Sequence, residues 1–369
     1  MSLYVGLMSG TSMDGIDAVL LQIDEGGMRV KAAVARHWPA DLQRRLRQAA
    51  EDYLSLGLLE FGRLDTIVGR EFASAAEELL NRSGTALSAV RAIGSHGQTV
   101  LHQPGDAAPF TLQIGDPNII AERLNIDVVA DFRRRDLAAG GEGAPLMPAF
   151  HVAAFGTPGQ YNAVANIGGI ANVSRLQADG SVTGFDTGPG NCLLDAWSRQ
   201  QRAKPFDEHG QWAASGVIQP TLLNRMLQDP YFARRPPKST GRETFSDGWL
   251  EQALAGYRAS PADVQATLTE LTAHTIAMSL AGGGTQPVRV LVCGGGAQNT
   301  YLMSRLSLAL PRSQVQTTGA CGIDPQHVEA AGFAWLAYRY VNALPGNLPS
   351  VTGAKYAVPL GALYRGSAK

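Results

Sequence analysis

Cysteine is scarce in this chain: Cys192, Cys293 and Cys321 are isolated in 369 residues, and three dispersed thiols fit neither a disulfide framework nor a zinc cluster. Charge of one sign is lacking too, since 31 Lys and Arg stand against 32 Asp and Glu for a formal net charge of -1. That balance removes any broad electrostatic footprint for nucleic acid or an anionic membrane, so an anion has to be met locally. No segment approaches the roughly 18 apolar residues of a membrane span, and no basic region followed by a long apolar stretch opens the chain. The expectation is a cytoplasmic protein without nucleic-acid or membrane partners. With 45% hydrophobic and 17% charged residues the chain can bury a large core, and its length predicts two domains.

What is abundant is glycine, 42 residues, much of it at the ends of apolar runs. Between Val5 and Asp17 a turn rich in glycine and hydroxyls separates the apolar runs Tyr4 to Leu7 and Ile16 to Ile23. Gly6, Gly10 and Gly15 permit close backbone approach, while Ser9, Thr11 and Ser12 add donors beside the N–H groups, a pattern suited to an anion. The Gly-Lys-Ser/Thr ending of a Walker loop is missing, and the turn does not lead from a strand into a helix. An ordinary hairpin turn is the alternative.

Leu42 to Ala50 and Phe61 to Leu80 carry helical spacing. Val90 to Ile93 reads as a short strand ending in the polar turn Gly94 to Thr99, and Phe110 to Ile114 as another ending at Gly115-Asp116. In open α/β sheets ligands gather at such carboxyl ends. Ile126 to Ala130 is a buried-type strand closed by Asp131-Phe132-Arg133-Arg134-Arg135-Asp136, and the segment up to Ala144 is the expected hinge. The arginines there read either as a solvated face or as the lining for an acidic substrate group. A second hairpin follows, Ala163 to Asn166, a tip containing Gly168-Gly169, then Ile170 to Leu176. Val182 to Phe185 continues the sheet, and Asp186 is expected to end that strand and open the turn Thr187 to Asn191. Val264 to Leu280 shows one apolar helical stripe, Val288 to Cys293 a buried strand, and Gly294-Gly295-Gly296 a flat seat for a ligand such as adenosine, or a tight strand-to-helix connection. Val328 to Leu344 reads as a long helix, as core or as the face of a homodimer.

Two glycine-tipped hairpins and a late strand, triple glycine and helix make a duplicated nucleotide clamp, which resembles the superfamily of actin, sugar kinases and Hsp70-type ATPases. That resemblance implies an α/β, two-lobed actin-like ATPase fold, ribonuclease H-like in each lobe, with a nucleotide and sugar cleft between lobes. The first lobe would hold 1–132 with about 327–369, the second 133–326. The segments Gly6 to Asp17, Gly94 to Thr99, Asp131 to Pro145, Asn166 to Asn172, Asp186 to Asn191, Lys238-Ser239-Thr240-Gly241-Arg242-Glu243 and Pro345 to Gly353 narrow it. Together they resemble the anhydro-N-acetylmuramic acid kinase family, nearly end to end.

The resemblance implies an enzyme of peptidoglycan recycling that uses ATP, Mg²⁺ and water to convert 1,6-anhydro-N-acetylmuramate into N-acetylmuramate 6-phosphate. Asp186 matches the family's general base, and Glu329 falls where a second carboxylate stands near the same water. The first turn, Gly10, Thr11, Ser12, Met13, Asp14, Gly15, Ile16 and Asp17, would hold the β- and γ-phosphates. Asp14 or Asp17 would reach Mg²⁺, with no dedicated protein cage for the metal. Asn166, Gly168 and Gly169 would complete the phosphate cradle, and Gly294, Gly295 and Gly296 would meet the nucleoside. His96, Gln98, Arg133 and Arg134 are candidates for the sugar by strand-tip position, and Lys238 to Glu243 for a cover over it or a mere connection. Rival readings are an ATPase that drives partner binding, a phosphohydrolase of the exopolyphosphatase type and a non-catalytic sugar-binding module. Length is expected to exclude the chaperone version of the first, since no separate peptide-binding domain would fit after Gly353, and the last would not need two phosphate elements.

Overall fold

A computed structural model describes residues 2–10, 12–281 and 286–367, so Thr11 of the first turn lies outside the described residues. The strands are β1 (Ser2–Ser9), β2 (Gly15–Asp24), β3 (Gly27–His37), β4 (Val90–Gln103), β5 (Phe110–Ile114), β6 (Val128–Ala130), β7 (Asn162–Ile167), β8 (Ile170–Leu176), β9 (Val182–Pro189), β10 (Arg289–Cys293), β11 (Gln314–Thr317) and β12 (Ala362–Tyr364). Contacts divide the chain into two compact units, 1–154 with 327–369, and 155–326.

In the first unit the strand order is β12-β6-β4-β1-β2-β3. The meander β1 to β3 is antiparallel, β4 lies parallel to β1, and β6 parallel to β4. In the second the order is β11-β10-β7-β8-β9, again an antiparallel meander, β7 to β9, with β10 parallel to β7 and β11 parallel to β10. Both units therefore repeat one topology, the ribonuclease H-like order 3-2-1-4-5 of the actin-like α/β fold. Each sheet is backed by apolar helices: Leu64, Val68 and Phe72 of the helix Leu58–Ser83 in the first unit, Ala273, Ile276 and Leu280 of the helix Pro261–Leu280 in the second. The latter helix is buried on nearly every side, Gln265, Thr267 and Thr269 included, instead of along one stripe.

Three expectations are revised. Gly94 to Thr99 is the middle of β4 and not a turn, because β4 runs on from Val90 to Gln103 with β1, β6 and β5 paired along it. Asp186 lies inside β9, opposite Asn172 of β8, instead of at its end. The crossing into the second unit falls after Ala154, beyond the segment that follows Phe132. The anchor is Asp136: its buried carboxylate accepts from Gly143 N–H (2.8 Å), Asn347 Nδ2 (2.8 Å) and Thr352 Oγ1 (2.9 Å), which ties that segment to the C-terminal stretch.

Candidate functional site

In the first unit, the turn between β1 and β2 closes with Met13 N–H donating to Gly10 C=O at 3.1 Å, Met13 itself taking φ 54°. Gly15 serves packing, since a Cβ there would fall 2.3 Å from Arg36 O, whereas Gly10 faces open space with nothing nearer than Ser12 Oγ at 4.0 Å. Ser9 Oγ lies 2.6 Å from Gly15 O and 2.7 Å from Gln98 Oε1. The Gln98 amide nitrogen donates to Gly10 C=O and Thr99 C=O (3.3 and 3.1 Å). Gln98 is thus wholly buried as a brace under the turn, its amide committed to protein partners.

Gly6 and Gly94 sit side by side in the β1–β4 register. A Cβ on Gly6 would lie 1.8 Å from Ala330 O and one on Gly94 2.0 Å from Phe333 O, so this glycine pair lets the helix Val328–Val341 rest its backbone on the sheet. That seating fixes Glu329, in the helix's first turn. Burial raises the Glu329 carboxyl above its usual range, opposed by the positive charge of Arg133. Burial first, and the neighbouring Glu329 second, push Asp17 up to about 6. Ile16, just before it, is core.

Arg133 donates from Nε to His96 Nε2 (2.9 Å) and from Nη1 to Gly143 C=O (2.9 Å). The other ring nitrogen, Nδ1, lies 2.9 Å from Gly97 O, so His96 carries its proton there and accepts at Nε2. Burial, reinforced by Arg133, holds the ring neutral by depressing its pKa well below the ordinary value. His96, Arg133, Glu329 and Asp17 therefore form one electrostatic cluster. Arg134 is elsewhere: its Nε lies 3.5 Å from Asp131 Oδ1 and 3.4 Å from Thr111 O, with half the side chain in solvent. Asp14 also turns outward, its Oδ1 3.6 Å from Arg47.

In the second unit, Asp186 occupies the edge strand β9, and the segment Lys238–Glu243 runs beside it. Asp186 N–H donates to Lys238 C=O (3.3 Å), Thr240 N–H donates to Asp186 Oδ2 (3.0 Å), and Tyr231 O–H donates to Asp186 C=O (2.7 Å). Burial pushes the Asp186 carboxyl up to about 6, partly offset by the Thr240 hydrogen bond, with Glu243 adding to the rise and Lys238 opposing it. A carboxyl poised near 6 is charged at neutral pH yet basic enough to take a proton, the setting a general base needs.

The tip between β7 and β8 is closed from behind. Gly168 C=O accepts from Asn191 N–H (2.8 Å), and Gly169 C=O accepts from Gly190 N–H (2.9 Å) and Cys192 N–H (3.1 Å). Gly168 itself meets nothing nearer than Ile170 O at 3.5 Å. Asn166, at the end of β7, pairs with Asn172 and Cys293, and its Oδ1 would lie 2.5 Å from a Cβ on Gly294. Gly294 (φ 77°) and Gly296 are thus required by packing against Asn166 and Ile167, while at Gly295 a Cβ would meet only Asn191 Nδ2, at an ordinary contact distance of 3.7 Å. Thr240, Tyr231, Glu243 and Arg242 join the candidate residues. The sequence marked the Lys238–Glu243 loop as polar, but nothing local said that it would lie along β9.

The chain matches the family described as anhydro-N-acetylmuramic acid kinase over residues 2–366. Anhydro-N-acetylmuramic acid kinases from two strains of Xanthomonas campestris pv. campestris are each 50% identical to it over 365 residues, covering 98% of this chain and 97% of theirs. Among solved structures, the activator of the 2-hydroxyisocaproyl-CoA dehydratase from Clostridium difficile with bound ADPNP aligns with 92% of this chain and 96% of its own at TM-score 0.48 and 12% identity. A ROK hexokinase from Thermus thermophilus does so over 91% and 99% at TM-score 0.40 and 15% identity. Likenesses that loose bear no weight, whereas the near-complete sequence match does. By that match the chain belongs to the anhydro-N-acetylmuramic acid kinase family.

Proposed function

We propose that this chain is an ATP-dependent kinase that opens 1,6-anhydro-N-acetylmuramic acid with water and phosphorylates its O6. The products are N-acetylmuramic acid 6-phosphate and ADP, in cytoplasmic peptidoglycan recycling and amino-sugar catabolism. The observation that carries this reading is the family match across residues 2–366, to which the environment of Asp186 adds the chemistry.

The substrate has no free O6 hydroxyl, because O6 is bonded to C1. A water must therefore attack C1 while the C1–O6 bond breaks. O6 then takes the γ-phosphoryl group, and the bond from that phosphorus to the β-phosphate oxygen breaks to release ADP. Asp186 accepts the water's proton through Oδ1, since Oδ2 is engaged by Thr240 N–H. General-base assistance of this kind is typically worth about 10² to 10⁴ in rate. Glu329 is assigned a second carboxylate role in the same step by the family resemblance, the logic of the two carboxylates of inverting glycosidases, with phosphorus capturing the leaving oxygen. Arg133, braced by His96 and Gly143, supplies a fixed cation for the sugar's lactyl carboxylate.

The turns Gly10–Asp17 and Asn166–Gly169 are assigned to the triphosphate and Gly294–Gly296 to the nucleoside, with Gly10, Gly168 and Gly295 the least crowded of their glycines. Among the described residues no cluster of three or more His, Cys, Asp or Glu forms a metal cage. Mg²⁺ keeps waters and phosphate oxygens and needs only one or two carboxylates from the protein. Asp17, whose carboxyl is raised by burial and by Glu329, is the residue we assign to it, and Asp14 is the alternative. When bound, the ion neutralises phosphate charge. Incubation with ATP, Mg²⁺ and the anhydro-sugar tests the reading: a 6-phosphorylated reducing sugar should appear with stoichiometric ADP. ADP without sugar phosphate would refute it.

A further inference from the structure

We propose that Arg242 is a further catalytic residue, the cation that meets the γ-phosphoryl group during transfer. The inference rests on assigning the second hairpin tip to the phosphates. Its own ground is the placement of the guanidinium. A Cβ on Gly169 would fall 2.7 Å from Arg242 Nη2, 2.8 Å from Nε and 3.2 Å from Cζ, so the planar group meets the hairpin tip with its Nε–Nη2 edge, and any side chain at this position would displace it.

Among the described residues no hydrogen bond to a protein acceptor accounts for the guanidinium's position. The carbonyls of Gly168 and Gly169 already accept from the N–H groups of Asn191, Gly190 and Cys192. Among the described residues no carboxylate forms an ion pair with Arg242. The neighbouring acid, Glu243, is folded back over Gly241, where a Cβ would lie 2.1 Å from Glu243 Oε2. An arginine whose Nε–Nη2 edge is held against a glycine tip without a counter-charge keeps its Nη1–Nη2 edge as a bidentate donor pair suited to phosphate oxygens.

Two residues before Arg242, Thr240 N–H holds Asp186 Oδ2. One short segment thus carries both the group that orients the base and the cation for the transferred phosphoryl. In the step itself the bond from phosphorus to the β-phosphate oxygen breaks as the bond to O6 forms. The guanidinium stabilises charge on the equatorial oxygens without gaining or losing a proton.

The test compares wild type, Arg242→Ala and Arg242→Lys in calorimetric binding of ADP and of the non-hydrolysable AMPPNP, together with steady-state kinetics on ATP and the anhydro-sugar. For Arg242→Ala the expected kcat loss is about 10³-fold, the lower range for arginines that serve this role in other phosphoryl-transfer enzymes. ADP affinity and the sugar KM should be essentially unchanged, while AMPPNP loses its margin over ADP. Arg242→Lys should regain part of that margin but little kcat, since an ammonium cannot reproduce the planar fork. A raised sugar KM with kcat intact would overturn the proposal by placing Arg242 on the substrate carboxylate. Equal loss for ADP and AMPPNP, or no change at all, would overturn it as well. Should wild type fail to phosphorylate the sugar, the family activity is what fails, and the AMPPNP-against-ADP comparison still decides Arg242.

Discussion

With Asp186 as the proposed base, burial and function act on the same proton. The carboxyl is pushed up to about 6, so the base is charged above that pH and protonated below it. The acid limb of kcat/KM is therefore predicted near pH 6, read from a pH–rate profile; a profile flat down to pH 4.5 would remove Asp186 from the base role. Asp186→Asn keeps an oxygen for Thr240 N–H but cannot take a proton. Turnover should fall by about 10² to 10⁴ while ADP binding measured by calorimetry is retained. Stability moves the other way. The folded-state pKa lies above the ordinary 3.8, so stabilisation from this group is complete below about 4 and is lost as pH rises through about 6. At pH 8 the Asn variant should be more stable than wild type by roughly 1–3 kcal/mol, and the two should converge below pH 4. Urea titrations at both pH values check this, and a gap that widens on acidification would contradict it.

The elements were legible in the sequence wherever apolar runs met a glycine turn. Both hairpins and the strand before the triple glycine came out at nearly the expected residues, because a tight turn between two buried strands has a strong local signature. The polar stretch of β4 was not legible, since Gly94, Ser95 and Gly97 are turn-type residues and His96, Gln98 and Thr99 add no apolar position to mark a strand. Their reason is tertiary: Gly94 admits the helix Val328–Val341, Gly97 at φ 74° admits Ile114 O of β5, and Gln98 braces the first turn. Asp136 was invisible for the same reason, as its partners Asn347 and Thr352 lie more than two hundred residues away. Gly6→Ala should cost about 3 kcal/mol or more, because the methyl would meet backbone and not a movable side chain. Asp136→Ala, which strands several buried donors, should cost about 3–5 kcal/mol. Chemical denaturation reads both, and losses under 1 kcal/mol would contradict these accounts of the packing and of the buried carboxylate.

For the whole molecule, the repeated strand order was expected from resemblance to a superfamily and is now visible as topology in each unit. The scarcity of net charge has a counterpart in the proposed site, where the cations assigned to anions are few and individually placed, Arg133 on His96 and Arg242 on Gly169. The candidate site was half legible. Asp186 and Glu329 stood out only through the family pattern, while the partners that tune them, Thr240 and Arg133, required the fold. The exposed Arg134 shows the limit, since its neighbour Arg133 has identical chemistry and only the structure separates the two. The central claim, a water activated by Asp186 that attacks C1 as O6 captures the phosphoryl group, is tested most directly by turnover in ¹⁸O-labelled water followed by mass spectrometry of the sugar phosphate. The account predicts one solvent oxygen at C1 and none in the phosphate ester. Label in the phosphate, or an unlabelled C1 hydroxyl in a product shielded from exchange, would contradict it.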